Sequence, residues 1–106
     1  MARTEVTKPR AGRVQPDFTF LTNHSHVLVC LASTPGITLR EVANRVGITE
    51  RAVIAIVRDL QAARVLSISK EGRRNIYRIH AGIHLRHAVE AHRTVGDLLR
   101  AILGEP

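Results

Sequence analysis

Cysteine is almost absent from this 106-residue chain, which contains only Cys30. One cysteine can form neither an internal disulfide nor a thiolate zinc cage, so neither kind of cross-link stabilises the fold. No run approaches the roughly 18 uncharged apolar residues that a membrane span needs, and the N-terminal MARTEVTKPR lacks the apolar centre of a signal peptide. We therefore expect an intracellular, cytoplasmic protein without membrane contact, held together by packing alone.

The motifs of common enzyme sites are missing as well. The chain has no phosphate-binding glycine loop, no HExxH pair, and no cysteine or serine beside a base in a nucleophile motif. Its length argues for one domain, since domains usually run to roughly 100–200 residues. We expect a small single-domain protein that is not an enzyme and has no cofactor.

Acidic residues are too few to balance the basic ones. Sixteen Lys and Arg against nine Asp and Glu give a formal charge of +7 and a sequence pI near 11.3. Residues 37–80 hold nine basic and four acidic side chains, whereas residues 81–106 hold three of each. A uniformly solubilising surface does not predict this segregation, so the distribution favours a polyanionic partner such as nucleic acid.

Residues 1–17 combine four basic side chains with two prolines and few apolar anchors. This composition predicts a flexible basic tail. Such a tail could add an arm in a DNA minor groove, although basic tails are also frequent without that role.

The rest of the chain, 18–106, alternates helical and strand patterns. Helical spacing predicts helices at 23–33, 39–46 and 50–64, and the Thr38–Glu41 capping box marks the start of the second. Apolar alternation at 65–69 and 75–79, around a turn at 70–74, predicts a β-hairpin. Helical spacing returns from about 84 to 103. The expected fold class is mainly α with a small β-hairpin wing (α+β).

The second and third helices have the spacing of a helix-turn-helix. Ala43 permits a close crossing, Gly47 suits a left-handed turn, and Ile48 plugs the junction. Val53 and Ile56 then supply the core face of the third helix. An ordinary helical hairpin is the alternative, because any apolar helix pair offers some of these residues.

In a helix-turn-helix the second helix of the motif lies in the major groove. Arg51 can fork onto guanine, Glu50 can accept from cytosine, and Ile54 or Ala55 can touch a thymine methyl. Alternatively, Glu50 only favours the helix N-terminus and the arginines are solvated. Cations at the hairpin turn suit phosphates or a narrow minor groove, or solubility alone. The predicted DNA-binding residues are Thr38, Arg40, Thr49, Glu50, Arg51, Ile54, Ala55, Arg58, Lys70, Arg73 and Arg74.

These segments resemble the small, single-domain winged helix-turn-helix transcriptional regulators of bacteria, of the MarR-like kind. The resemblance covers about residues 18–103. It implies a sequence-specific regulator that binds double-stranded DNA, with a recognition helix at about 49–64 and a wing at about 65–80. Effector binding is not implied, because the chain has little room for the longer flanking helices of MarR proteins. The motifs that carry the resemblance are FLTNHSHVL (20–28), LREVANRVGITERAV (39–53), GRRNIYRI (72–79) and LRHAVEAHRTVGDLL (85–99).

The last predicted helix has more apolar surface than a solvated terminus needs, and it lies in the segment 81–106, whose net charge is zero. We expect it to form a homodimer that sets two recognition helices about 34–36 Å apart. The alternative is that it covers the core of its own monomer. The predicted dimerisation residues are Leu85, Val89, His92, Val95, Leu99 and Ile102.

Histidine spacing leaves one further alternative open. His80, His84 and His87 have spacings that a helix would align, as in metal-responsive regulators, but the ligand set is incomplete and we predict no metal site. Cys30 lies in an apolar run with no cation near it in sequence, which disfavours redox sensing. A winged-helix module that binds a protein through Ile54 and Ala55 is the other alternative function.

Overall fold

The computed structural model describes residues 18–104, so the predicted basic tail at 1–17 lies outside the described residues. Each of the predicted helices and strands has a counterpart in this range. Their order is α1 (Asn23–Ser33), α2 (Leu39–Val46), α3 (Glu50–Ala62), β1 (Leu66–Glu71), β2 (Arg74–Ile79) and α4 (Val95–Leu103).

Local signals fix the helix boundaries. At the start of α2, the Thr38 hydroxyl accepts from the Glu41 amide at 3.1 Å and the Glu41 carboxylate accepts from the Thr38 amide at 2.9 Å, which confirms the capping box. The third helix ends at Ala62, two residues before the predicted end. Arg64 has a φ of 64° and therefore cannot continue a right-handed helix.

The first three helices and the base of the hairpin surround one core. Val27, Val42 and Val53 are completely buried, one from each helix, and Leu66 adds a buried side chain from β1. Facing this core, Tyr77 and other apolar hairpin residues are half-buried. One apolar side of each element thus packs on the others, as the sequence periodicities predict.

The hairpin is tighter than predicted. Its strands pair antiparallel from Leu66↔Ile79 to Glu71↔Arg74, so the turn consists of Gly72 and Arg73. Gly72 has a φ of 67°, the left-handed conformation that a two-residue hairpin turn requires at its first position. The pairing therefore extends into the predicted 70–74 turn.

The last helix is shorter than predicted, and the expected start near residue 84 is wrong. Thr94 and Asp97 form a second capping box, with hydrogen bonds of 3.0 and 3.1 Å. The amide of Val95, the first residue of this helix, donates to the carbonyl of Ile83 at 2.8 Å. The start of the helix is therefore bonded to the preceding chain. Residues 84–94 form a loop, closed by a β-bridge between His84 and Thr94.

These elements form a winged helix-turn-helix, an α+β fold with an additional C-terminal helix, as predicted. Within residues 18–104, no helix has both the length and the apolar character needed to cross a membrane.

Candidate nucleic-acid interface

The third helix divides into a buried and an exposed side. Its N-cap is Thr49, whose hydroxyl accepts from the Ala52 amide at 3.0 Å. The side that faces the core carries Val53, Ile56, Val57 and Leu60, all of which are buried. The predicted reading residues are all exposed, and they are Thr49, Glu50, Arg51, Ile54, Ala55 and Arg58. Their spacing places them on one solvent-facing side of the helix.

The turn between α2 and α3 sets the position of that exposed side. Ala43 is 5% exposed, and its carbonyl accepts from the amides of Gly47 at 2.8 Å and Ile48 at 3.1 Å. Gly47 has a φ of 84°, which glycine adopts without the strain of a β-carbon. The close crossing predicted at Ala43 is confirmed, and the pair is a helix-turn-helix.

A cleft of about 340 Å³ separates the wing from the starts of α2 and α3. Four predicted contact residues line it: Thr38 and Glu50 on the helices, and Arg73 and Arg74 on the wing. The cleft gathers polar groups from elements distant in sequence. The other predicted contact residues are exposed outside the cleft, and they are Arg40, Thr49, Arg51, Ile54, Ala55, Arg58 and Lys70.

Five further residues line the cleft without being predicted contacts, among them Gly36, Asn75 and Tyr77. Gly36, in the turn after α1, lies beneath the guanidinium of Arg74, and Asn75 and Tyr77 contribute from β2. Proline followed by glycine predicted the turn, but no sequence signal predicted which side chain would cover it.

Thr38 has a structural role that limits what its hydroxyl can do. Besides accepting from the Glu41 amide, this hydroxyl donates to the Glu41 carboxylate at 3.0 Å. The hydrogen bond from the Thr38 amide is the main cause that lowers the pKa of Glu41; the hydroxyl bond and the charge of Arg45 act in the same direction. Thr38 is exposed, but its hydroxyl is thus already used in the cap of α2.

The predicted contact cations are not neutralised by neighbouring carboxylates. Among residues 18–104, the ion pairs join His24 to Asp59 at 2.8 Å, and Asp97 to Arg93 and Arg100. None of these pairs includes a predicted DNA-contact cation. These cations are therefore available to an external anion, and the excess of positive charge lies on the wing, which has four basic side chains against Glu71.

Residues 22–66 match the winged helix-turn-helix DNA-binding family. The matched range contains all of α1, α2 and α3 and ends at the first residue of β1. The chain matches no curated protein. The family match supports a DNA-binding role, and it covers the helices that carry the predicted reading residues.

The predicted dimerisation residues do not lie along one helix. Leu85, Val89 and His92 belong to the 84–94 loop, and Val89 is 75% exposed. On the last helix, Val95 is only 3% exposed and belongs to the core of the winged helix-turn-helix, with Leu99 packed against that core. Ile102 is 42% and Leu103 44% exposed, so the open apolar surface lies at the end of this helix.

The three histidines considered as metal ligands each bond to a different neighbour. His80 Nε2 lies 3.1 Å from the Ser67 hydroxyl, and His84 Nδ1 lies 2.8 Å from the Ala91 carbonyl. His87 accepts from the amide two residues later. In the described part of the chain, no three histidine, cysteine, aspartate or glutamate residues are grouped to hold a metal ion.

Cys30 of α1 is half-buried and packs against the core. Burial raises the pKa of its thiol, and the charge of Arg45 opposes that effect with a smaller contribution. Arg45 is close to Cys30 in space although distant in sequence, so sequence spacing could not reveal this cation. The net effect favours the protonated thiol over a reactive thiolate.

Proposed function

We propose that the chain is a sequence-specific regulator of transcription, of the small MarR-like kind, that binds double-stranded DNA in the cytoplasm. The observation that carries this proposal is the exposed side of α3, where polar, charged and small apolar side chains lie together and neither Arg51 nor Arg58 forms an ion pair. Base edges in a major groove are recognised by this mixture of groups.

The proposed mode of binding follows from the exposed positions. The N-terminal half of α3 enters the major groove, where Arg51 binds guanine and Glu50 accepts from cytosine. Ile54 and Ala55 contact thymine methyl groups. Cations on the neighbouring elements bind phosphates and set the register. Those phosphate-binding positions are Arg40, Arg58, Lys70 and Arg73, with Thr38, Thr49 and Arg74 beside them.

We further propose that the functional unit is a homodimer. The exposed apolar end of α4, at Ile102 and Leu103, and the exposed Val89 of the preceding loop offer the contact surface. Leu85, His92 and Leu99 would lie at its edge. Two copies related by a twofold axis would present their recognition helices to successive major grooves.

The decisive experiment uses random genomic duplex fragments at two salt concentrations. Fragments that stay bound at the higher concentration are recovered and sequenced. A motif with two related half-sites supports the regulator and the dimer, and the half-site spacing gives the distance between recognition helices. Equal retention of all sequences, or no retention, contradicts sequence-specific binding.

One observation favours a second candidate function. Ile54 is 38% exposed at the centre of the reading surface, where a branched aliphatic side chain needs either DNA or another apolar partner. If DNA binding is absent, the alternative is a module that binds a protein through Ile54 and Ala55. Binding to a protein would lack the steep salt dependence that counterion release gives to DNA binding.

A further inference from the structure

The outer half of the wing has no support from the core. Ile68 and Tyr77 form the last pair of the hairpin that packs against the helices. The three pairs beyond them, 69–71 with 74–76, contain only exposed residues. A two-stranded hairpin is marginally stable by itself, so the tip needs another contact if it is to keep one position relative to α3.

Arg74 makes such a contact with the helices. Its guanidinium lies over Gly36, so closely that a β-carbon built on the glycine would collide with Nη2 and lie 3.4 Å from Cζ. Gly36 has a φ of 83°, which L-residues rarely adopt. Glycine thus provides both the turn conformation and the space for the planar guanidinium.

The turn beneath the guanidinium is itself fixed. Ile37 is 4% exposed, and its amide donates to the Thr34 carbonyl at 3.1 Å. Arg45 of α2 donates to the Thr34 hydroxyl at 3.0 Å. The buried side chain and the two hydrogen bonds hold the turn on both sides of Gly36. Arg74 therefore rests on a rigid part of the helix-turn-helix.

Arg73, next in the chain, is in a different situation. It is one of the two residues of the hairpin turn and is exposed at the tip. Within the described part of the chain it forms no ion pair. Its charge is available to a phosphate, whereas the Nη2 end of the Arg74 side chain lies against the turn after α1.

We propose that Arg74 is a positioning residue, which holds the wing against the Gly36 turn and so sets where Arg73 meets the DNA backbone. Lysine cannot make the same contact, because its side chain ends one bond short of the arginine Nη2 that reaches the glycine. The consequence for DNA rests on the proposed function, but the contact itself does not. The proposal assigns different roles to two adjacent arginines that carry the same charge.

The contact is tested first in the protein without DNA. Backbone ¹⁵N relaxation is measured for the wild type, Arg74→Lys and the control Arg78→Lys, which changes an exposed arginine on the same strand away from the cleft. We expect the order parameters of Gly72 and Arg73 to fall from about 0.85 to below about 0.6 in Arg74→Lys only. Wild-type order parameters at the tip of Arg74→Lys would overturn the proposal.

DNA titrations then test the division of roles. Loss of one phosphate contact lowers the salt slope by about 0.9, which changes relative affinity by about 3.5-fold between 50 and 200 mM salt. We expect the Arg73→Gln substitution to lower the salt slope by about 0.9 when it is made in the wild-type protein. Made in the Arg74→Lys variant, the same substitution should not change the slope further. Additive losses for Arg73→Gln and Arg74→Gln, with Arg74→Lys binding as the wild type does, would instead make Arg74 a phosphate contact and overturn the proposal.

The two parts of the experiment separate two possible failures. If the wild-type protein shows no salt-dependent binding to DNA, the proposed function is contradicted. The relaxation measurement still decides whether Arg74 orders the wing, because that measurement needs no ligand.

Discussion

Replacing Val95 by alanine tests how the C-terminal helix is used. Val95 is 3% exposed and belongs to the monomer core, although its place in the sequence pattern suggested a dimer contact. The change removes two buried carbon atoms at about 0.8 kcal/mol each. With the cavity that remains, we expect the free energy of unfolding to fall by about 2 kcal/mol.

Urea denaturation at two widely separated protein concentrations measures this effect. With a slope of about 2 kcal/mol per molar urea, the midpoint of Val95→Ala should fall by about 1 M at both concentrations. Ile102→Ala is the matched control, because Ile102 is 42% exposed at the end of the same helix. Its main effect should be to weaken the concentration dependence that a dimer confers. A Val95→Ala midpoint that equals the wild type, or that differs at only one concentration, would refute the assignment of this residue to the core.

Three further predictions concern the interface and the caps. Arg51→Ala should lose discrimination at particular base pairs, whereas Arg73→Ala should weaken binding to all sequences and flatten the salt slope; equal losses on specific and random duplexes for both variants would contradict this division. Thr38→Ala should lower the free energy of unfolding by about 1 kcal/mol in thermal or urea denaturation. Thr38→Ser should keep most of the stability that the cap contributes, and wild-type stability in Thr38→Ala would show that the cap contributes little. Hydrogen bonds from the cap residues lower the pKa of Glu41 and of Asp97, so the stabilisation is present at neutral pH and is lost as the pH falls through the lowered values. Urea denaturation from neutral pH to below about pH 4 should show this loss of stability, and the loss should be smaller in Glu41→Gln than in the wild type. An equal loss in the two proteins would argue against a stabilising role for the Glu41 carboxylate.

The helix-turn-helix was predictable because its determinants are local. The Thr38–Glu41 capping box marks the start of α2, and Gly47, its C-cap, marks the end. Each signal lies within a few residues of the boundary that it sets. The apolar spacing of α3 then separates buried from exposed positions, since its boundaries are set independently by Thr49. The exposed positions are the remainder once the core face is known, and for that reason the sequence predicted which residues of α3 face solvent.

The contacts around the wing were not predictable in the same way. The contact between Arg74 and Gly36 joins positions that are 38 residues apart. The distance between the two residues depends on the twist of the hairpin and the path of the turn. The proximity of Arg45 to Cys30 is another contact of this kind. Sequence spacing within one element carries no information on such contacts, because they depend on how separate elements pack.

The late start of α4 has a local explanation that was present in the sequence. Thr94 and Asp97 have the spacing of a capping box, the signal that correctly placed the start of α2. Apolar periodicity over 84–94 favoured a longer helix, but periodicity measures only which side chains could share a face. A helix that began at residue 84 would have to break the bond from the Val95 amide to the Ile83 carbonyl and give up the cap. The capping box therefore marks the boundary here, because the loop before it already satisfies the Val95 amide and still packs Leu85 against the core.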